Sequence, residues 1–451
     1  MNKIKLSYTR LFFTLCFIIL ALGHIDVHAA TKNISIRDND TLNMSVYIGD
    51  SGRITPDLSS IKENSASSCS FEFSSDDSDI VEVNEDGTYT AVAPGTTQIY
   101  ISAYKDSDYR YYRSSIFDAV INFTVTADMT NVTLSTTKVR AYMYPYYSYG
   151  NKPSYDSARA TITINSDFMI NSYDDDAFSY TCSNSKLNID AYIEDNIIYL
   201  HQSSTATGTA KITFTIYGKV FTVDYESKKL GISNQSYLLV KNKKKKLTVS
   251  GYDGTVVWTS SNPKIATVDA NGNVNGKKIG NCIITAKVGD QYLGCAVSVT
   301  KSKIKKVTER ATYIGTHWKY SQALRTRKGY YDCSALVWKA YKEKANVTFG
   351  SKNYPGVALS EAKWCKSHKK MISGGITRKK LNKMTVNPGD LLFKSANMKK
   401  KYSNIYHVEM FTGYYCNYVD SNGCAYFSPL WAARGSYYNF EDGSLLGRPL
   451  K

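Results

Sequence analysis

The chain has 451 residues, 43% of them apolar and 21% charged, with 28 Gly and 9 Pro, a globular composition that excludes collagen-like, low-complexity and wholly disordered proteins. At about 100–200 residues per domain the length implies three or four folded units. The formal charge of +17 is unevenly spread: residues 301–451 hold 28 Lys and Arg against 9 Asp and Glu, a net +19, whereas residues 31–300 hold 25 against 29, a net −4. A uniformly basic nucleic-acid binder would not divide this way, so the front and the back read as different modules.

Lys3, Lys5 and Arg10 precede an apolar run from Leu11 to Leu22, and His28-Ala29-Ala30 supplies small residues for cleavage. This is the pattern of a secretory signal peptide over residues 1–30. The run is shorter than the ~20 residues that a membrane-spanning helix needs, so the expectation is a soluble, secreted protein without stable membrane insertion. Cys282 and Cys295 flank one turn, Cys416 and Cys424 another. Each pair is compatible with a disulfide across a hairpin or with two buried thiols.

Residues 31–300 read as short alternating strands separated by Asn, Asp, Gly and Ser turns, which predicts all-β sandwiches. Laying Phe73–Ala103 on the segment that begins at Trp258, at a constant offset of 185 residues, places Ile80 on Ile265, Val83 on Val268, Gly87 on Gly272 and Gly95 on Gly280. A weaker copy, Tyr180–Leu187, echoes Trp258–Ile265. The segment Tyr142–Tyr149 carries five tyrosines and reads either as a sugar-stacking platform or as a loop with half-buried rings. Lys241 and Lys243–Lys246 read as a solvated basic loop that guards a strand edge.

The stretch Val257-Trp258-Thr259-Ser260-Ser261-Asn262-Pro263-Lys264-Ile265-Ala266-Thr267-Val268, followed by Gly272-Asn273-Val274 and Gly280, resembles the bacterial Ig-like group 2 domain. The resemblance implies extracellular spacers or adhesive modules. It divides the chain into an Ig-like domain over 31–127, a degenerate copy over 128–231 and a group 2 domain over 232–302.

From about residue 303 the pattern changes. Asp332-Cys333-Ser334-Ala335-Leu336-Val337-Trp338 predicts a helix capped by Asp332, with Cys333 in the first turn, where free N–H groups and the helix dipole favour a thiolate. His407 opens Tyr406-His407-Val408-Glu409-Met410, a predicted strand on which His407 and Glu409 share one face. A Cys at a helix start facing a His on a sheet is a thiol-peptidase arrangement. The scattered His and Cys residues lack metal-ligand spacing, so no metal and no cofactor is expected.

Asp332–Val337, Pro388-Gly389-Asp390-Leu391-Leu392-Phe393 and His407-Val408-Glu409-Met410-Phe411-Thr412-Gly413 resemble, in that order, three blocks of the NlpC-type papain-like cell-wall cysteine peptidases. The resemblance covers residues 303–451 and implies an α+β papain-like domain behind the all-β Ig-like sandwiches. It implies Cys333 as nucleophile, His407 as general base and acid, and Asp332 and Ser334 lining the subsite for the free amine of a peptidoglycan stem peptide. Trp318 stands at the family's substrate-binding Tyr, and Tyr320 is the substitute for it. The residue orienting His407 is assigned to Ser428 on the returning strand. The expected reaction is hydrolysis of a stem-peptide amide, between D-glutamyl and the diamino acid, with peptidoglycan peptides and anionic wall polymers as partners. Two other readings stay open: a catalytically impaired surface or adhesion protein, and a cysteine amidase or acyltransferase on another amide.

Overall fold

Alternate residues of the strand Ser115–Thr126 are buried, from Phe117 through Ala119, Ile121 and Phe123 to Val125, the period of two that a strand with one face on a core requires. The same alternation recurs through the first 300 residues of the computed structural model, which describes residues 30–61, 69–105, 115–171, 177–397, 402–436 and 440–450. The leader expected over residues 1–30 lies, but for Ala30, outside them.

The strands form three successive Ig-like sandwiches, each with its own core, centred on Ile99, Ile121 and Phe123 in the first, Ile198, Ile212 and Phe214 in the second, and Ile284, Val297 and Val299 in the third. All three share one topological device: the last strand pairs in parallel with a strand near the start, Ser115–Thr126 with Thr41–Tyr47, Lys219–Lys229 with Lys138–Met143, and Gln291–Thr300 with Ser236–Val240. The middle copy, degenerate in sequence, is therefore as complete a sandwich as its neighbours.

The 185-residue offset survives in the register. Phe73 lies opposite Ile101, and Trp258 lies opposite Ala286. Gly95 and Gly280 have φ of 149° and 150°, and a Cβ there would sit 2.7 Å from Ile80 Cδ1 and 2.8 Å from Ile265 Cδ1. Both glycines are required twice over, by a backbone conformation that side chains rarely adopt and by the isoleucine packed against them. Lys244–Lys246 forms a short edge strand on Asn273–Gly276, not a loop. All eight described cysteines are free thiols; in the Gly280–Thr300 hairpin Cys282 faces Val297 and Cys295 faces Ile284, so this register does not bring the pair together.

The C-terminal unit packs helices α1 (Ser302–His317), α2 (Cys333–Ala345) and α3 (Ala358–Ser367) on a five-stranded antiparallel sheet; a short α4 (Arg378–Asn382) follows. The strand order is Gly435–Ser436, Ala425–Trp431, Ile405–Val419, Leu391–Ser395 and Leu445–Gly447. Leu391, Phe393, Val408 and Met410 face the helices, whereas Leu392, Phe411, Tyr414 and Trp431 share a core with Ile283 and Ala296 of the third sandwich. The long central strand is thus buried on both sides. So is Gln291–Thr300, which is buried without a break from Leu293 to Thr300. Cys416 N–H donates to the Gln235 carbonyl, and the Asn281 amide donates to the carbonyls of Met384 and Val386, so the C-terminal unit is hydrogen-bonded to the third sandwich as well as packed on it.

Candidate active site

Asp332 caps α2: its Oδ1 accepts from the Ala335 N–H at 2.7 Å and from Ser334 Oγ at 3.2 Å, and its Oδ2 pairs with Arg325 at 2.7 Å. The cap fixes the first turn and sets the half-buried Cys333 at its start. His407 lies on the neighbouring strand Ile405–Val419, within hydrogen-bonding reach of the Cys333 thiol, and the Val408 N–H is directed at the same sulfur. On the thiol, burial works against the charged form, but the His407 and Val408 hydrogen bonds and the imidazolium charge outweigh it, leaving Cys333 below the usual cysteine value. On His407, burial favours the neutral ring; the bonds to Cys333 and Glu409 win, and its pKa is raised. The two shifts point the same way, toward a thiolate–imidazolium pair.

The third member is Glu409. His407 Nε2 lies 3.0 Å from Glu409 Oε1. The same oxygen accepts from Lys394 Nζ at 3.0 Å and lies 3.5 Å from Arg434. Lys394 stands directly opposite His407 in the sheet register, and both Lys394 and Glu409 are buried. A cavity of about 370 Å³ opens over the pair, with Tyr320, Cys333, His407, Met410, Trp431 and Arg434 among its walls. This arrangement can deprotonate a thiol, present it to a carbonyl from a largely apolar pocket, and return a proton to a leaving group.

Ser428 is not the orienting residue. It faces Tyr415, and its hydroxyl donates to Asn417 Oδ1 at 2.9 Å. The hairpin after Val419 is long, so the returning strand overlaps only the far half of Ile405–Val419, and eight residues at ~3.3 Å each separate Tyr415 from His407. The signal for Glu409 was present in its i, i+2 spacing from His407. Asp332 and Ser334 lie beneath the cavity and do not line it: they are buried, and the Asp332 carboxylate is taken up by Arg325 and the cap. Trp318 is also outside the wall, its ring lying under Arg310 at 5.0 Å and Lys339 at 4.9 Å. Tyr320 does line the cavity, edge-on to Tyr331.

The model of the bacterial Ig-like domain (group 2) matches residues 53–107 and 221–299. The chain therefore contains bacterial Ig-like domains of group 2. Among solved structures it is similar to invasin, described as a bacterial integrin-binding protein, at 14% identity over 51% of this chain and 52% of that one, with a TM-score of 0.27. It is also similar to a C-terminal 282-residue fragment of intimin solved with the intimin-binding domain of its translocated receptor (14% identity, 70% of this chain and 99% of that one, TM-score 0.25), and to extracellular domains 3–5 of Drosophila OTK (7% identity, 61% and 99%, TM-score 0.31). The chain spans about half the length of the invasin structure. No curated protein matches it. Among the described residues no helix is long and apolar enough to cross a membrane.

Proposed function

We propose that this protein is an exported cysteine peptidase of papain-like, NlpC-type design that cleaves amide bonds in peptidoglycan stem peptides, with the Ig-like domains as its stalk. The observation that carries the reading is the Cys333–His407–Glu409 relay at a helix start beneath a cavity. The Cys333 thiolate attacks the amide carbonyl carbon, and the carbonyl electrons move to oxygen beside the first-turn N–H groups of α2. Collapse of this adduct breaks the C–N bond, and His407 gives its proton to the departing amine. His407 then takes a proton from water, whose oxygen displaces the thiolate from the acyl group. Glu409 holds the imidazole in position throughout. The net +19 of residues 301–451 keeps this end near an anionic wall.

Cys333→Ala abolishes release of stem-peptide fragments from purified sacculi while leaving sacculus binding intact; release at the wild-type rate overturns the reading. Fragments that retain every stem-peptide amide but lose another acyl group assign the same dyad to an amidase or acyltransferase.

A second reading rests on the matched Ig-like repeats: a surface or adhesion protein whose C-terminal unit binds without cleaving. The family match lies wholly in the repeats and favours this alternative as far as it reaches. A Cys333 thiol that alkylates no faster than free cysteine near neutral pH decides for it.

A further inference from the structure

The tyrosine-rich segment of the middle sandwich does not end as a free loop. Tyr147 is buried, its backbone and side chain anchored on Asn417 and Ile232, which swings the flanking rings onto the outer end of the strand Ile405–Val419. The result is a cleft of about 1110 Å³ where the middle sandwich, the Gly289–Tyr292 turn of the third and the Tyr418–Ser421 end of the C-terminal sheet meet. Tyr146, exposed by 43%, lies 5.4 Å from Tyr418, which stacks on Tyr426 at 4.3 Å and 7°. Tyr144 and Tyr292 add further wall. This is a row of rings drawn from three units that are remote in sequence.

The polar rim selects among ligands. Asp156, Asp290 and Asp420 line the cleft against Arg159, with Lys287 over the Tyr292 ring at 5.8 Å, so the acidic groups outnumber the basic ones and an anionic polymer is disfavoured. Aromatic faces beside carboxylates, amides and hydroxyls match a ligand with apolar ring faces and equatorial hydroxyl donors. We propose that this cleft binds a neutral oligosaccharide, the glycan of the wall whose peptides the Cys333 site cuts; in that identification it rests on the peptidase reading. Eleven residues of strand separate Tyr418 from His407, about 36 Å at ~3.3 Å each. A five-residue stem peptide reaches at most ~18 Å, so one disaccharide–peptide unit cannot fill both sites. The cleft is an exosite that holds a neighbouring stretch of glycan while the cavity works on a peptide.

The test is calorimetric titration of the full chain with chitotetraose as a neutral probe, alongside dextran sulfate as an anionic one. Saturable binding of chitotetraose, weakened at least tenfold by Tyr146→Ala and by Asp290→Asn but not by Tyr149→Ala, which lies outside the cleft, supports the site; unchanged melting temperatures exclude unfolding as the cause. No binding, binding indifferent to the cleft substitutions, or binding of dextran sulfate alone at this cleft overturns it. Cleavage of free stem peptides, which carry no glycan, is measured on the same samples. Chitotetraose binding without cleavage removes the peptidase and leaves the glycan site, and cleavage without binding does the reverse.

Discussion

His407 and Glu409 stand two residues apart on one strand, joined Nε2 to Oε1 at 3.0 Å, with Lys394 facing them from the next strand and bonded to the same carboxylate oxygen. The orienting group is therefore supplied from within the histidine's own strand, needing no residue from the return strand of the hairpin. Positioning then depends on a strand whose two faces are both packed, a more rigid support than a loop.

Glu409→Gln keeps the shape of this contact and removes its charge. Turnover on stem peptides is expected to fall by up to ~10⁴-fold, the loss seen when the carboxylate of a serine-protease relay is removed, with KM little changed. The substitution also removes the charge from the buried Lys394–Glu409 pair, a destabilising change in its own right. The double variant Glu409→Gln, Lys394→Met separates the effects: melting temperature recovers and turnover does not. Recovery of turnover in the double variant would show that Glu409 serves the lysine and not the histidine.

Activity should follow a bell-shaped pH profile. The reactive pair exists above the depressed Cys333 value, where the thiolate forms, and below the raised His407 value, where the imidazolium survives; the two apparent values belong to the pair. Glu409, Lys394 and Arg434 from the sheet side and Asp332 and Tyr320 from the helix side set its field. Iodoacetamide at pH 7 should modify Cys333 before the exposed Cys424, although Cys333 is the more buried, and His407→Ala should reverse that order. A wild-type order already led by Cys424 sinks the ion-pair account.

Most of the architecture was legible because it rests on local rules. The period-two burial and the Gly95 and Gly280 positions are visible in the residues themselves, and Asp332-Cys333-Ser334 announces a capped helix start. The cleft and the third relay member were less so, for different reasons. Glu409 shares a face with His407 by simple alternation, but nothing local ranks it above a residue delivered by a hairpin, and hairpin length decides whether Ser428 reaches the site. Whether Asp332 is free to bind a substrate amine depends on Arg325, seven positions upstream in a segment without periodicity. The docking of the third sandwich on the C-terminal sheet turns on the outward faces of two strands, which a period-two reading assigns to solvent.

Glu361 lies on α3 fully buried, and neither carboxylate oxygen has a hydrogen-bond partner among the described residues. Burial, reinforced by the nearby Cys333 and Asp332 charges, drives its pKa well above the usual carboxylate range. The folded state thus keeps a proton that the unfolded chain releases above about pH 4.5, and wild-type stability falls as pH rises from there toward the folded value. Glu361→Gln removes this loss. Its melting temperature should match the wild type near pH 4 and exceed it increasingly toward pH 7; a constant gap across that range would mean that Glu361 is ionised in the fold.

Gly294 is one place where the third sandwich packs tightly on the C-terminal sheet. A Cβ built on it would lie 2.6 Å from both Cys416 Sγ and Val419 Cγ2, and these belong to a core that the two units share. Close-packed interiors yield little, so Gly294→Ala should cost about 1–3 kcal/mol. Because the loss arises at the junction, Val419→Ala in the same chain should return part of it by opening space on the opposing face, although alone it removes buried apolar surface and destabilises. Thermal unfolding of the four chains in this cycle measures the coupling. Additive effects of the two substitutions would place Gly294 outside the junction's tight contact, and a positive coupling would show that the sheet bearing His407 is seated on the third Ig-like sandwich through this point.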